Sequence, residues 1–268
     1  MGDGSSIEWT DATWNPTTGC DRVSDGCEHC YALNLARRLK AMGNPRYQVD
    51  GNAKSSGPGF GLSLHHDVLA LPLSWRRPRF VFVNSMSDLF HPRVPPQFVR
   101  SVFDVMGQAS QHTFQILTKR PERMARLLRE LQPHPLPNVW LGTSIESDSY
   151  TYRADNLRGV PATVRFLSLE PLLGPLPSLD LTDVHWIIVG GESGVHHSQV
   201  DLGWVREIRD RCVAADIAFF FKQVGGRTPK AGGRDLDGRT WDQRPGGPGS
   251  SIGRDGCSTG SRAETCSR

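Results

Sequence analysis

The chain has 268 residues, of which 37% are hydrophobic and 22% charged, and its net charge of +3 makes it mildly basic. This composition is typical of a globular protein with a sizeable core, and no apolar run is long enough for a transmembrane helix. Six cysteines are too few for a disulfide scaffold in a chain of this size, and the first residues lack the basic and apolar regions of an export signal. We therefore expect a cytoplasmic protein without membrane association, whose thiols stay reduced. Its mild basicity is compatible with nucleic acid as a partner.

The first predicted strand, within residues 7–16, leads into a loop that carries Cys20, Cys27 and Cys30. A helix is predicted directly after this loop, over residues 28–42, and it ends at a Gly-Asn-Pro sequence. Thiolates this close together repel one another unless a positive group lies between them, so the spacing favours a metal. The spacing alone leaves three interpretations open: a structural zinc with a fourth ligand, a [4Fe–4S] cluster with one iron free to bind a ligand, or three thiols that only pack.

Short apolar runs and amphipathic segments alternate along the rest of the chain, after a polar, glycine-rich stretch at residues 46–61 that we expect to be an irregular insertion. Strands are predicted at residues 80–84, 114–118, 138–142, 164–168, 184–189 and 217–221, and helices at 95–109, 121–131, 149–158 and 202–215. This alternation is typical of βαβ units and predicts a mostly parallel sheet of about six to seven strands. The predicted fold class is therefore α/β, a partial or full TIM-like (β/α) barrel, with a doubly wound open sheet as the alternative.

The C-terminal residues 246–268 are rich in Gly, Ser and Arg and contain almost no large apolar side chain. We expect a disordered tail there, and one barrel domain over residues 1–245. Cys257 and Cys266 lie in the tail and are discounted as metal ligands. Cys212 lies on the apolar face of a predicted helix and is interpreted as a core thiol.

Polar residues follow the predicted strands. They are Asn84, Ser85 and Asp88, then Lys119 and Arg120, Ser144 and Glu146, Glu170, and finally Gly190, Gly191 and Glu192. The carboxyl ends of parallel strands in a barrel meet at one mouth, where the active sites of such folds lie. Taken singly, each residue is explained as a helix cap, a turn or a salt-bridge partner. Together with the cysteine loop they predict an active site that binds a cofactor.

Several long sequence phrases resemble a bacterial and phage family of unknown function that is known for a three-cysteine motif. They occupy residues 14–32, 82–91, 113–123, 168–174, 188–194, 219–223 and 236–242, so the resemblance covers about residues 7–245. That family is similar to distant radical S-adenosylmethionine (SAM) enzymes. The resemblance implies a [4Fe–4S] cluster on Cys20, Cys27 and Cys30, with SAM on the fourth iron. It also implies reductive cleavage of SAM to a 5′-deoxyadenosyl radical that modifies an unknown substrate, and a protein partner encoded nearby.

Under this radical SAM hypothesis, we expect the following roles for the residues at the strand ends. Asn84, Ser85, Asp88, Ser144 and Glu146 would line the SAM pocket, Lys119 and Arg120 would neutralise a carboxylate or phosphate, Glu170 and Glu192 would face the ribose or the substrate, and Gly190 and Gly191 would let a ligand approach the backbone. Hydrogen abstraction by a radical needs no protein base, so no further catalytic residue is predicted.

The sequence departs from the common radical SAM pattern in two places. Its cysteines are spaced C-x6-C-x2-C instead of C-x3-C-x2-C, and His29 stands where an aromatic residue is usual. The Gly-Gly-Glu sequence that usually follows the second strand is absent there and occurs only at residues 190–192. The alternative is a zinc-stabilised nucleic-acid-binding or phage-associated interaction module without catalysis. The mild basicity and the Cys/His loop favour that alternative, whereas the ring of polar strand ends favours an enzyme.

Overall fold

The structure is a computed structural model and describes residues 5–132, 134–228 and 230–246. Its strands are β1 (Ala12–Trp14), β2 (Thr17–Thr18), β3 (Ser63–Leu64), β4 (Phe80–Val83), β5 (Thr113–Thr118), β6 (Val139–Ser144), β7 (Val164–Leu169), β8 (Trp186–Gly190), β9 (Ala218–Gln223), β10 (Asp235–Leu236) and β11 (Arg239–Thr240). Its α-helices are α1 (Tyr31–Ala41), α2 (Pro96–Gln108), α3 (Pro121–Leu131), α4 (Tyr152–Arg158) and α5 (Leu202–Ala214). Each strand and helix predicted from the sequence therefore has a counterpart.

Seven of the strands form one sheet in the order β1-β4-β5-β6-β7-β8-β9, and every neighbouring pair in it is parallel. Each new strand is added at the same edge, as in a TIM-like barrel, which confirms the predicted fold class. The order does not reverse, so the doubly wound alternative is wrong. Within the described residues β9 does not pair with β1, and the sheet is a curled half-barrel rather than a closed one.

Aromatic side chains fill the inner face of the half-barrel. Phe82 on β4, Trp140 on β6, Phe166 on β7 and Trp186 on β8 are buried in one cluster with Trp9, which precedes β1. The ring centroids of Trp9 and Trp186 are 6.2 Å apart, although β1 and β8 are five positions apart in the sheet. Curling of the sheet is what brings these two rings together, and the aromatic layer closes the interior below the carboxyl ends of the strands.

The outer face of the sheet carries the larger core. Val81 and Val83 alternate with the inward-facing Phe82 along β4 and belong to one buried cluster with residues of α2 to α5. α2 contributes Phe98 and Met106 to this cluster, from the helix face that the sequence pattern predicts. No helix in the described ranges has both the length and the apolar character needed to cross a membrane.

Some element boundaries differ from the predictions. α1 begins at Tyr31 instead of residue 28, because Asp25–Cys27 form a separate 3-10 turn before it. β1 covers only Ala12–Trp14 of the predicted residues 7–16. Residues 48–61 form neither a helix nor a strand. The predicted tail, residues 246–268, lies outside the described residues except for residue 246.

The free edge of β9 is covered by the last described segment of the chain. Phe221 N donates a hydrogen bond to Trp241 O (2.8 Å), and Gln243 N donates to Phe219 O (3.2 Å). The Gln243 side-chain oxygen also accepts from Phe219 N at 3.0 Å. Residues 241–243 therefore lie antiparallel along β9, and this side of the sheet does not expose a row of unpaired backbone groups.

Candidate active site

A cavity of about 690 Å³ lies at the carboxyl ends of the sheet strands, bordered on one side by the cysteine loop. Of the residues predicted for the site, the following line it: Cys20, Cys27, Cys30, Asn84, Ser85, Asp88, Lys119, Arg120, Ser144, Glu170, Gly191 and Glu192. Glu146 and Gly190 do not line it. Predicted residues from the ends of five neighbouring strands, β4 to β8, and from the loop before α1 are thus brought to one place by the parallel sheet.

The three cysteines reach the cavity from different parts of the loop. Cys20 follows β2, Cys27 ends the 3-10 turn, and Cys30 immediately precedes α1. The start of the loop is attached to the end of β4, since Gly19 N donates to Met86 O at 3.0 Å. All three thiols are free. In the part of the chain that the structure describes, no three Cys, His, Asp or Glu side chains are already close enough to hold a metal ion.

Two cations lie beside the thiols. The ammonium group of Lys119 interacts electrostatically with all three of them. Arg120 Nη1 lies 3.5 Å from the sulfur of Cys20 and 2.7 Å from Asp88 Oδ2. Both residues directly follow β5. The end of this strand therefore supplies positive charge to the side of the cavity that carries Cys20, Cys27 and Cys30, which we call the cysteine wall.

The pKa values of the thiols reflect a balance between burial and these cations. Burial raises the pKa of Cys20 to about 12, and it also raises the pKa of Cys30. Burial opposes ionisation of Cys27 as well, but the Lys119 ammonium and hydrogen bonds with Val23 and Ser24 outweigh it and lower the pKa of Cys27. Metal ligation requires thiolates, and the cations favour the charged form that a bound metal centre would complete.

Asp88 holds Arg120 in place. Its carboxylate is buried and accepts hydrogen bonds from the Thr118 hydroxyl (2.7 Å), from Phe90 N (2.9 Å) and from Lys119 N (3.2 Å), in addition to the Arg120 guanidinium. A buried carboxylate with this many donors is held in one position and fixes its partner. Asp88 lines the cavity, but its hydrogen bonds are directed to the protein.

Glu146 lies beneath the cysteine wall instead of at the cavity surface, and it is fully buried. Its carboxylate accepts hydrogen bonds from the Ser24 hydroxyl (2.8 Å) and from Arg153 Nη1 (2.9 Å), and it contacts the Lys119 ammonium. A Cβ atom on Gly26 would lie 2.4 Å from Glu146 Cγ. Glu146 therefore joins the cysteine loop to β6 and α4, which makes it a positioning residue.

The opposite wall of the cavity is built by the ends of β7, β8 and β9. Glu170 forms an ion pair with Lys222 (3.0 Å) and accepts from the Ser168 hydroxyl at 3.1 Å. A Cβ atom on Gly190 would lie 2.9 Å from a Glu170 carboxylate oxygen, and one on Gly191 would lie 1.9 Å from Val224 O. Both glycines thus make room for protein neighbours, which is a sufficient reason for their small size.

Sequence reasoning missed several residues that build this site. Asp21 joins the cysteine loop to residues 46–61, because its carboxylate accepts hydrogen bonds from Ser55 (2.7 Å) and Ser56 (3.0 Å), and His91 Nε2 lies 2.8 Å away. Partial burial opposes ionisation of Asp21, but these hydrogen bonds lower its pKa to about 2. Tyr31 also lines the cavity, and its hydroxyl contacts the carbonyl of Ser85. No sequence signal links these pairs, which lie 34 to 70 residues apart.

The model of a family described as a protein of unknown function (DUF5131) matches residues 4–245. Among solved structures, a spore photoproduct lyase mutant with dinucleoside spore photoproduct is 13% identical, with a TM-score of 0.42, and the match covers 73% of this chain and 58% of that one. Another mutant of that lyase, with bound AdoMet and dinucleoside spore photoproduct, is 14% identical, with a TM-score of 0.41 and coverages of 74% and 59%. This chain therefore spans less than two thirds of those proteins. No curated protein matches it.

Proposed function

Since this chain belongs to the DUF5131 family, whose function is unknown, we propose a function from the site itself: a radical SAM enzyme. Cys20, Cys27 and Cys30 would hold a [4Fe–4S] cluster, and the cavity beside them would bind SAM and a substrate. The observation that supports this proposal most directly is that three free thiols and two cations line one large cavity at the carboxyl ends of a parallel half-barrel.

The donor set fits a cluster. Three thiolates are the protein ligands of a [4Fe–4S] cluster whose fourth iron is left for another ligand. A thiolate-ligated centre is anionic overall, and Lys119 and Arg120 provide the compensating charge where it would be needed. When bound and reduced, such a cluster supplies the electron that cleaves the sulfonium bond of SAM.

The protein's own residues have three tasks in this proposal. Asp88 and Glu146 fix the two cations from behind, so the positive charge is in place before any ligand arrives. Asn84, Ser85 and Ser144 present polar groups to the cavity for the amino, carboxyl or ribose groups of SAM. The buried aromatic layer below, with Trp9 and Phe82 lining the cavity, limits access of water to the reacting groups.

A structural zinc site in a binding module is the competing assignment. Four protein ligands close such a site, and it needs no cavity beside it. The cavity of about 690 Å³ bordered by the three thiols is better explained by a site that must admit small molecules.

The first experiment is a measurement of iron, acid-labile sulfide and zinc per chain, on protein prepared without oxygen. About four irons and four sulfides per chain are expected, with SAM cleaved to methionine and 5′-deoxyadenosine under a low-potential reductant. Replacing Cys20, Cys27 or Cys30 by alanine should abolish both the cluster and the cleavage of SAM. Cys212→Ala is the matched control, because Cys212 is a buried thiol of α5 outside the cavity, and it should keep the cluster. About one zinc without sulfide would show that the proposal is wrong.

A further inference from the structure

A second cavity, of about 530 Å³, adjoins the main one at the outer end of the cysteine loop. Among the described residues, its lining includes the basic side chains of Arg37, Arg38, Arg227, His29, His196 and His197, and no carboxylate. We call these six residues and the cavity between them the basic groove. His29 and Ser193 line both cavities, so the groove opens beside the proposed active site.

The arginines of the basic groove are not paired with a carboxylate of any residue that the structure describes. Arg37, Arg38 and Arg227 are exposed, and none of them forms a salt bridge with a residue that the structure describes. By contrast, Arg120 and Arg153 in the site are both paired with buried carboxylates. Three uncompensated guanidinium groups around one concave surface produce a positive potential that attracts a polyanion.

Both walls of the groove are fixed to elements of the main site. One wall is α1, which begins directly after Cys30 and carries Arg37 and Arg38. The other is the loop after β8, which is held against the chain beyond β9: Gly194 N donates to Gly226 O at 2.9 Å, and the Gln223 amide donates to the Ser193 hydroxyl at 2.6 Å. The groove is therefore a built feature, and its position relative to the cysteines is set by the fold.

Two imidazole rings add planar surfaces to this positive charge. The rings of His29 and His196 are exposed, with centroids 6.3 Å apart and planes inclined by 36°. Proteins that bind single-stranded nucleic acids combine a basic groove along the backbone with planar side chains on which bases stack. An acidic peptide would use the arginines but would leave the rings and the adjoining cavity without a function.

We propose that the basic groove binds the phosphodiester backbone of single-stranded nucleic acid and presents one nucleotide to the main cavity. The binding site stands on the groove alone, whereas its use for catalysis rests on the proposed radical SAM function. The guanidinium groups can donate paired hydrogen bonds to the phosphate oxygens of the backbone. A base can enter the main cavity only after it has left its stack with the neighbouring bases.

The test is fluorescence anisotropy with a labelled single-stranded oligonucleotide of mixed sequence, about 20 nucleotides long, which exceeds the site size of such grooves. The triple variant Arg37→Gln, Arg38→Gln, Arg227→Gln should bind about tenfold or more weakly at low salt, and the slope of log affinity against log salt should fall by about 2, since about 0.7 is lost per phosphate contact. The matched control replaces Arg76, Arg77 and Arg100, which are exposed and lie outside both cavities, by Gln. It should bind as the wild type does.

Three results would overturn the proposal: no binding by the wild-type protein, equal loss in the control variant, or displacement of the oligonucleotide by polyglutamate as readily as by unlabelled oligonucleotide. DNA and RNA probes of the same sequence distinguish the two polymers. Iron and sulfide content is measured on the same preparations. Loss of oligonucleotide binding with a complete cluster in the triple variant supports the groove, and failure of cluster assembly in the wild type contradicts only the proposed function.

Discussion

Lys119 is the residue on which the charge of the cysteine wall depends. Its ammonium group interacts with Cys20, Cys27 and Cys30 on one side and contacts the buried Glu146 carboxylate on the other. Burial lowers the pKa of Lys119, and the three cysteines oppose that shift and favour the charged ammonium. It is therefore suited to hold an anionic centre that three thiolates complete.

The variant Lys119→Met should weaken retention of the cluster. The physical reason is that the wall keeps its three cysteines but loses the cation that interacts with all of them. Changes of groups that support metal ligands typically cost about 10- to 100-fold in affinity. Iron and sulfide per chain, measured over time after addition of a chelator, should fall correspondingly faster than in the wild type.

Two further variants sharpen this measurement. Lys119→Arg keeps the charge and should retain the cluster better than Lys119→Met does. Lys222→Met removes a lysine that lines the same cavity but pairs with Glu170 at the opposite wall. If Lys222→Met accelerated iron loss as much as Lys119→Met, the effect would come from the overall charge of the cavity, and the specific role of Lys119 would be wrong.

The cysteine loop, as an element, is held from below by Glu146. Ser24 donates to that carboxylate, and Gly26 lies so close to it that no side chain fits between them. The backbone of Gly26 has no left-handed conformation, so only this close approach requires glycine. The loop and the buried ion pair are thus one packed unit.

The variant Gly26→Ala should displace the loop. Its Cβ would lie 2.4 Å from Glu146 Cγ and 2.9 Å from Oε1, and overpacking of this kind costs about 1–3 kcal/mol. Cluster content should fall together with the free energy of unfolding measured in denaturant. Gly159→Ala is the control: φ at Gly159 is −73° and the nearest atom to its Cβ is 3.5 Å away, so a change within about 0.5 kcal/mol is expected. Equal destabilisation by both would contradict this account.

The sequence predicted most elements because their signals are local. β4 to β9 are short apolar runs bounded by polar residues, and α3 begins at the proline that the pattern indicates. The start of α1 was misplaced because the turn Asp25–Cys27 has no periodicity of its own. The burial of Glu146 was not predictable either, since a single acidic residue after a strand looks like a helix cap until its partner Arg153 is placed.

At the scale of the whole molecule, the half-barrel brings together what the sequence keeps apart. The strand-end residues were predictable as a group because parallel strands share a direction. The basic groove was not, because Arg37 and Arg38 alone look like the solvated face of a helix, and His196 and Arg227 lie more than 150 residues further along the chain. Only the curl of the sheet makes these residues neighbours of the cysteine loop.

A sheet that does not close has edges, and the edge of β9 is protected by residues 241–243. Trp241 in this segment is buried to 9% exposure and packs edge-on against Phe219, with ring centroids 5.7 Å apart. Losing the segment would remove a large apolar contact and also expose the backbone groups of Phe219 and Phe221. An uncovered edge strand of this apolar composition is a template for association with other chains.

Truncation after Thr240 should therefore destabilise the protein by about 3–5 kcal/mol, the usual cost of losing a buried Trp, and should cause aggregation. Truncation after Gly246 is the control, because it keeps Trp241, the Gln243 hydrogen bonds to β9 and the Arg244 hydrogen bond to Glu8 O at 3.0 Å. We expect the chain truncated after Gly246 to unfold at the wild-type temperature and to remain monodisperse by light scattering. Comparable aggregation of both chains would mean that residues 247–268, and not the segment along β9, protect the sheet.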